Sequence, residues 1–207
     1  GKDGVHPGWA GQLVMAYAFL KAMGLDGEIA TITVNLSDGK ATASEGHRVL
    51  STQPGRIEIE SARYPFCAAG PIDNDGSIRS GMALVPFNAE LNRFLLVVPN
   101  APGGNYRVTW GETSKTYTAG NLAAGVNLAT DFETNPFSDA FKRVDDAVKN
   151  KQAYETRQIK DLFHGPEGNV DMAMTADLTE KVRAPLANAI SAVFAQVRHT
   201  ILIKSEP

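Results

Sequence analysis

Apolar residues change their spacing along this chain, and the changes mark a helical start, a β-rich middle and a helical end closed by one strand. Trp9, Leu13, Ala16, Tyr17 and Leu20 recur at helical spacing, so a helix is expected from about Gly8 to Met23, with Gly24 ending it. Val14, Phe19 and Met23 widen its apolar surface beyond one face. From Leu25 to Ala69 the period shortens to two. Ile29, Thr31, Thr33 and Asn35 alternate with Ala30, Ile32, Val34 and Leu36, and Ser37-Asp38-Gly39-Lys40 supplies a hairpin turn. The returning stretch Ala41 to Ser44 is small and polar, which suits a sheet edge. His47 to Leu50 and Arg56 to Glu60 read as further strands around the breaker Pro54-Gly55, and the whole segment reads as an antiparallel meander.

A polar connection dense in turn formers, Gly70 to Ser77, comes next. Strands are expected at Ala83 to Phe87 and at Phe94 to Val98, the second an apolar run of the kind found inside a sheet. Tyr106 to Trp110 and Ser114 to Thr118 flank Gly111-Glu112-Thr113 as a hairpin with aromatic residues placed to pair across it. Trp110, beside that turn, is either a core residue, the commoner case, or a stacking platform for a sugar. Ser138 opens a long helix, as its N-cap, with Phe141, Val144, Val148, Ile159, Leu162 and Phe163 on the buried side and an i,i+4 pair, Asp145 and Lys149, outside. Tyr154, Glu155, Arg157 and Gln158 form a polar patch that suits either a cleft or a helix surface. A final helix is expected over 178–198, with Pro185 either kinking it or setting its start near Ala184, before a short strand over 199–203. Strands segregated from helices mark an α+β fold: an antiparallel sheet or sandwich covered by two long helices.

A chain of 207 residues with 43% apolar and 21% charged residues has the composition of an ordinary globular protein, which excludes disorder throughout. The net charge of −3 and the scatter of the 20 basic residues argue against nucleic acid as a partner. No signal peptide or membrane span is visible. The single cysteine, Cys67, lies among Pro65, Phe66, Ala68 and Ala69 and reads as a small buried hydrophobe. Asp73, Asp75 and Gly76 faintly resemble a calcium loop, but the bidentate Glu of such a loop is missing, so no metal site is expected there. His47, His164 and His199 have no His, Cys or Glu-x-x-His partner at ligand spacing, and His164 suits the end of a helix. No cofactor is implied, and no repeat appears.

Candidate chemistry is concentrated in Asp3-Gly4-Val5-His6-Pro7-Gly8-Trp9-Ala10-Gly11. A carboxylate and an imidazole three residues apart in one tight turn suit a general base: a buried Asp3 would accept Nδ1–H of His6, fix its tautomer and leave Nε2 free to take a proton. Asp-Gly-Val-His-Pro, a small residue, two spacers and a glycine resemble the closing catalytic block of the SGNH (GDSL-type) serine hydrolases. The resemblance implies that Asp3 orients and His6 acts as base in a Ser-His-Asp triad, and that the following helix flanks a parallel-sheet core. It also implies a nucleophilic Ser and oxyanion donors upstream of Asp3, where this sequence holds Gly1 and Lys2 alone. Gly103-Gly104-Asn105-Tyr106 mimics part of the family's Asn block, but without its Asp and on the wrong side.

The chain is therefore expected to be the end of a hydrolase core, residues 1–25, followed by an α+β accessory domain, residues 26–207, with strands within 28–134. Alone it should lack activity, and its parent should hydrolyse small acyl esters, acetylated carbohydrate among them. Its partners would be the missing N-terminal hydrolase segment and the ester substrate. The start of the chain, deprived of its sheet, should be displaced or packed on a neighbouring molecule, and the helix over residues 12–23 could drive self-association. The resemblance favours an extracytoplasmic, periplasmic or secreted, bacterial protein. The alternative is a non-catalytic carbohydrate-binding or protein-interaction module.

Overall fold

In the computed structural model, which describes residues 3–207, the chain forms α1 (Trp9–Ala22), β1 (Glu28–Val34), β2 (Ala41–Ala43), β3 (His47–Gln53) and β4 (Arg56–Ser61). A 3₁₀ segment (Ile78–Ala83) leads to α2 (Phe87–Leu91), β5 (Arg93–Val97), β6 (Asn105–Trp110), β7 (Thr113–Thr118), α3 (Ala119–Ala124), β8 (Val126–Asn127) and α4 (Leu128–Asp131). Then come α5 (Ser138–Arg157), which runs on as a π-helical stretch (Gln158–Phe163), α6 (Pro166–Val170), α7 (Met172–Ala192) and β9 (Val197–Glu206). The fold is α+β. Contacts divide it into two units: the chain up to Ser138 together with Gln196–Pro207, and Asp139–Ala195. The expected boundary after residue 25 is not where the contacts divide the chain.

The first unit holds two sheets. One has the order β2-β1-β5-β8, with β1 and β5 parallel and its other pairs antiparallel, and the other, wholly antiparallel, has the order β3-β4-β9-β6-β7. Alternation in β1 buries Ala30, Ile32 and Val34. These meet Phe94 and Leu96 of β5 and, from the other sheet, Ile57, Ile59, Val108, Trp110 and Ile201 in one continuous core. The hairpin turn at Ser37 to Lys40 is present, and β2 is an edge strand. The Leu25–Ala69 segment is not a single meander: β1 and β2 belong to one sheet, β3 and β4 to the other. Tyr106 pairs with Tyr117 across the β6–β7 hairpin. Trp110 is fully buried, so it is a core residue.

Three sequence expectations need correction. Ala83 to Phe87 is not a strand. Pro86 precedes the first turn of α2, and Phe87 and Leu91, four apart, both turn inward, which is a helical period. The last helix spans Met172–Ala192, not 178–198: Asp171 caps it by accepting the Met174 N–H at 2.9 Å, and the backbone becomes extended at Val197. It passes through Pro185. The short strand over 199–203 is the ten-residue β9, which lies between β4 and β6 in the interior of its sheet.

A smaller cluster in the first unit holds α1. Leu13 packs with Phe87 and Leu91, and Tyr17, Leu20, Phe66, Ile78 and Met82 surround them. Tyr17 donates its hydroxyl to Glu90 Oε2 at 2.7 Å, and Lys21 Nζ lies 2.8 Å from the same oxygen. Helix α1 is thus docked on the 78–91 segment of its own unit. Its opposite face is open, with Met15, Phe19 and Met23 exposed.

In the second unit, Gln158 donates to Thr179 Oγ1 at 2.8 Å and Tyr154 to the Thr179 carbonyl at 3.2 Å, while Glu155 pairs with Lys151 and Arg183. Three members of the polar patch at 154–158 therefore join α5 to α7. The Lys142–Asp146 pair, at 2.8 Å, lies on the outer face of α5.

Candidate functional site

Asp3 and His6 are brought together by a turn made of their own backbone. Asp3 Oδ1 accepts the N–H groups of Val5 at 3.1 Å and His6 at 2.9 Å, an Asx-type turn that requires Gly4 at φ 70°. This leaves Oδ2 facing His6 Nδ1 at 2.6 Å. The carboxylate accepts, so Nδ1 carries the proton and Nε2 presents a lone pair. The His6 side chain, and then the amides of His6 and Val5, hold the Asp3 carboxyl well below its ordinary value, at about 2. Asp3 is therefore ionised at neutral pH. Both side chains are open to solvent, His6 at 82% and Asp3 at 53%, so the carboxylate is not buried as a finished triad would have it.

The segment that follows is anchored from a distance. Gly8 occupies the N-cap position of α1 and has no side chain with which to cap it. Asp75, from the Gly70–Ser77 loop, supplies the acceptor: its Oδ1 takes the Ala10 N–H at 2.7 Å. The loop is braced by Ser77 Oγ donating to the Pro71 carbonyl at 2.7 Å and by Arg79 donating to the Gly70 carbonyl at 3.1 Å. Asp75 is thus a helix cap, and among the described residues no group of three His, Cys, Asp or Glu side chains is placed to hold a metal ion.

Two other histidines share a chain of hydrogen bonds through the first unit's interior. Trp110 Nε1–H can only donate, so His199 Nδ1, 3.1 Å away, accepts and its Nε2 carries the proton. Nε2–H donates to Ser61 Oγ at 2.9 Å. At the other end the Ile29 carbonyl can only accept, which makes His47 Nε2, at 2.8 Å, the donor and His47 Nδ1 the acceptor of the Ser61 hydroxyl at 2.8 Å. Both ends dictate the same directions, and both imidazoles are neutral. Burial pushes His199 down to about 3 and lowers His47 as well, and the nearby Arg63 charge adds to the lowering of His47. Ser61 and His199 are buried, so this Ser-His-His array is structural. Sequence spacing gave no sign of it, since Ser61 and His199 are 138 positions apart.

Cys67 is half-buried beside Asn135, and burial pushes its thiol up to about 11, which favours the protonated form at neutral pH. It borders a cleft of about 180 Å³ with Arg79, Asn88 and Glu133, where Arg79 and Glu133 pair at 2.9 Å. The second unit has an apolar groove lined by Leu162, Val170, Met174 and Leu178. Among the described residues no helix is long and apolar enough to cross a membrane.

No protein-family model matches the chain, and no curated protein matches it. Among solved structures, a gut microbial diltiazem-metabolizing enzyme has a similar fold, with a TM-score of 0.67 and 20% identity over 98% of this chain and 55% of the enzyme's. At that identity the likeness is one of fold. This chain spans about half the length of the enzyme it resembles.

Proposed function

We propose that this chain is the C-terminal part of an SGNH-type serine ester hydrolase, with Asp3 as the orienting carboxylate and His6 as the general base. A serine hydroxyl from a segment outside these 207 residues gives its proton to His6 Nε2 and attacks the acyl carbonyl. His6 returns that proton to the departing alcohol, and water activated in the same way releases the acid. Oxyanion donors come from the same outside segment. Small acyl esters, acetylated carbohydrate among them, are the substrate class. The observation that carries this reading is the 2.6 Å contact between Asp3 and His6 Nδ1, which directs the basic Nε2 away from the turn. Two further facts support it. The open face of α1 has the apolar character of a helix with another layer to meet, and the similar solved structure is an enzyme of nearly twice this length.

The test is ester hydrolysis by the longer protein that includes the residues encoded upstream of Lys2, with a short-chain p-nitrophenyl ester and with diltiazem. His6→Ala should lower kcat by roughly 10³-fold or more. A second reading, a carbohydrate-binding or protein-interaction module, draws on the self-contained core of the first unit and the exposure of His6. Under it, His6→Ala leaves hydrolysis and binding unchanged.

A further inference from the structure

We infer that Asp75 is a positioning residue for the His6 base, an inference that rests on the function proposed above. Two independent features tie it to the start of α1. Its Oδ1 accepts the Ala10 N–H, and its carboxylate occupies the space that a side chain on Gly8 would need, so that a Cβ there would run into it. The anion also faces the positive end of the α1 dipole. Between Ala10 and His6 stand Trp9, already in the first turn of α1, the N-cap Gly8 and Pro7. Pro7 has a fixed φ, and a residue preceding proline is confined to extended conformations. Where Asp75 pins the helix start therefore decides where the imidazole stands. The brace of Ser77 on Pro71 and Arg79 on Gly70 keeps the carboxylate in place. Asp75 touches the helix and not the reacting atoms, so its effect passes through geometry.

Geometric errors of about 1 Å at a reacting group cost on the order of 10²-fold in rate. In the longer protein, Asp75→Ala should therefore lower kcat by roughly 10- to 100-fold while KM stays within about twofold. Asp75→Asn keeps an oxygen that accepts the Ala10 N–H and should recover kcat to within about threefold of the parent. Gly8→Ala, whose methyl group displaces the Asp75 carboxylate from the helix start, should reproduce the Asp75→Ala loss. A merely structural role would move all three variants together in thermal stability without this split between kcat and KM or the rescue by Asn. Asp75→Ala with parental kcat, or Asp75→Asn as impaired as Asp75→Ala, overturns the inference. His6→Ala in the same assay separates the failures. If it is inactive and Asp75→Ala is not impaired, only the positioning role falls; if it stays active, the base assignment falls and the positioning role with it.

Discussion

Removing the hydroxyl of Ser61 would strand two imidazole nitrogens at once, Nε2–H of His199 and Nδ1 of His47. Each unsatisfied buried group costs about 1–3 kcal/mol, so Ser61→Ala should destabilise the protein by roughly 2–6 kcal/mol, read as a lowered urea midpoint with an unchanged m-value. A midpoint equal to the parent's would mean that the chain of hydrogen bonds from Trp110 to Ile29 carries no net stability. At this scale, contacts within a few residues were legible in the sequence and distant ones were not. The Asp3–His6 pairing follows from an i,i+3 turn, whereas the caps and relays made by Asp75, Ser61 and His199 join residues 65 and 138 positions apart, which no local pattern encodes.

Helix α1 is apolar on more sides than the protein covers. Leu13 is buried against Phe87 and Leu91, while Met15, Phe19 and Met23, at steps of four, form an exposed stripe. Phe19→Asp should leave the melting temperature nearly unchanged, because Phe19 is 65% exposed. It should also abolish the concentration-dependent association expected of the parent chain in sedimentation velocity. A parent that sediments as a monomer at all concentrations would show that this stripe does not pair with a second copy. The helix was legible from its spacing and its Gly24 stop, and the β1 and β6–β7 strands from alternation and turn residues. The 83–87 strand was misread because a short apolar run fits either period, and there the decision comes from Phe87 and Leu91 reaching Leu13. The end of α7 was misread because Val193 and Val197 keep helical spacing across a change to strand.

Across the whole molecule, acidification should act first through His47 and His199. Both are neutral in the fold and take up protons near pH 6.5 when unfolded, so between that pH and the folded value of about 3 for His199 the unfolded chain binds more protons. Their contribution is complete above about pH 6.5 and is lost as pH falls below it. The groups that face them are Trp110, Ser61, Phe94, Phe137 and the Ile29 carbonyl, with Arg63 as the nearby charge, and no carboxylate is among these to stabilise an imidazolium. Urea midpoints should therefore decline steadily from pH 7 to pH 5, above the range where Glu60 and Glu206, both lowered by their arginine or threonine partners, begin to protonate. A flat profile down to pH 4.5 would contradict neutral, buried histidines.

Strand β9 joins β4 to β6, pairing Arg56 with Leu202 and Trp110 with Ile201, yet it follows the entire helical stretch in the chain. During synthesis the β3–β4 and β6–β7 hairpins must therefore wait on the ribosome as separate pieces, each with an unclaimed hydrogen-bonding edge, until residues near 206 emerge. The α5–α7 helices, whose contacts are local, are complete before that. Translation order thus makes the helical insert the early folder and the five-stranded sheet the late one, and the interval between them is when nascent chains would be most prone to join each other edge to edge.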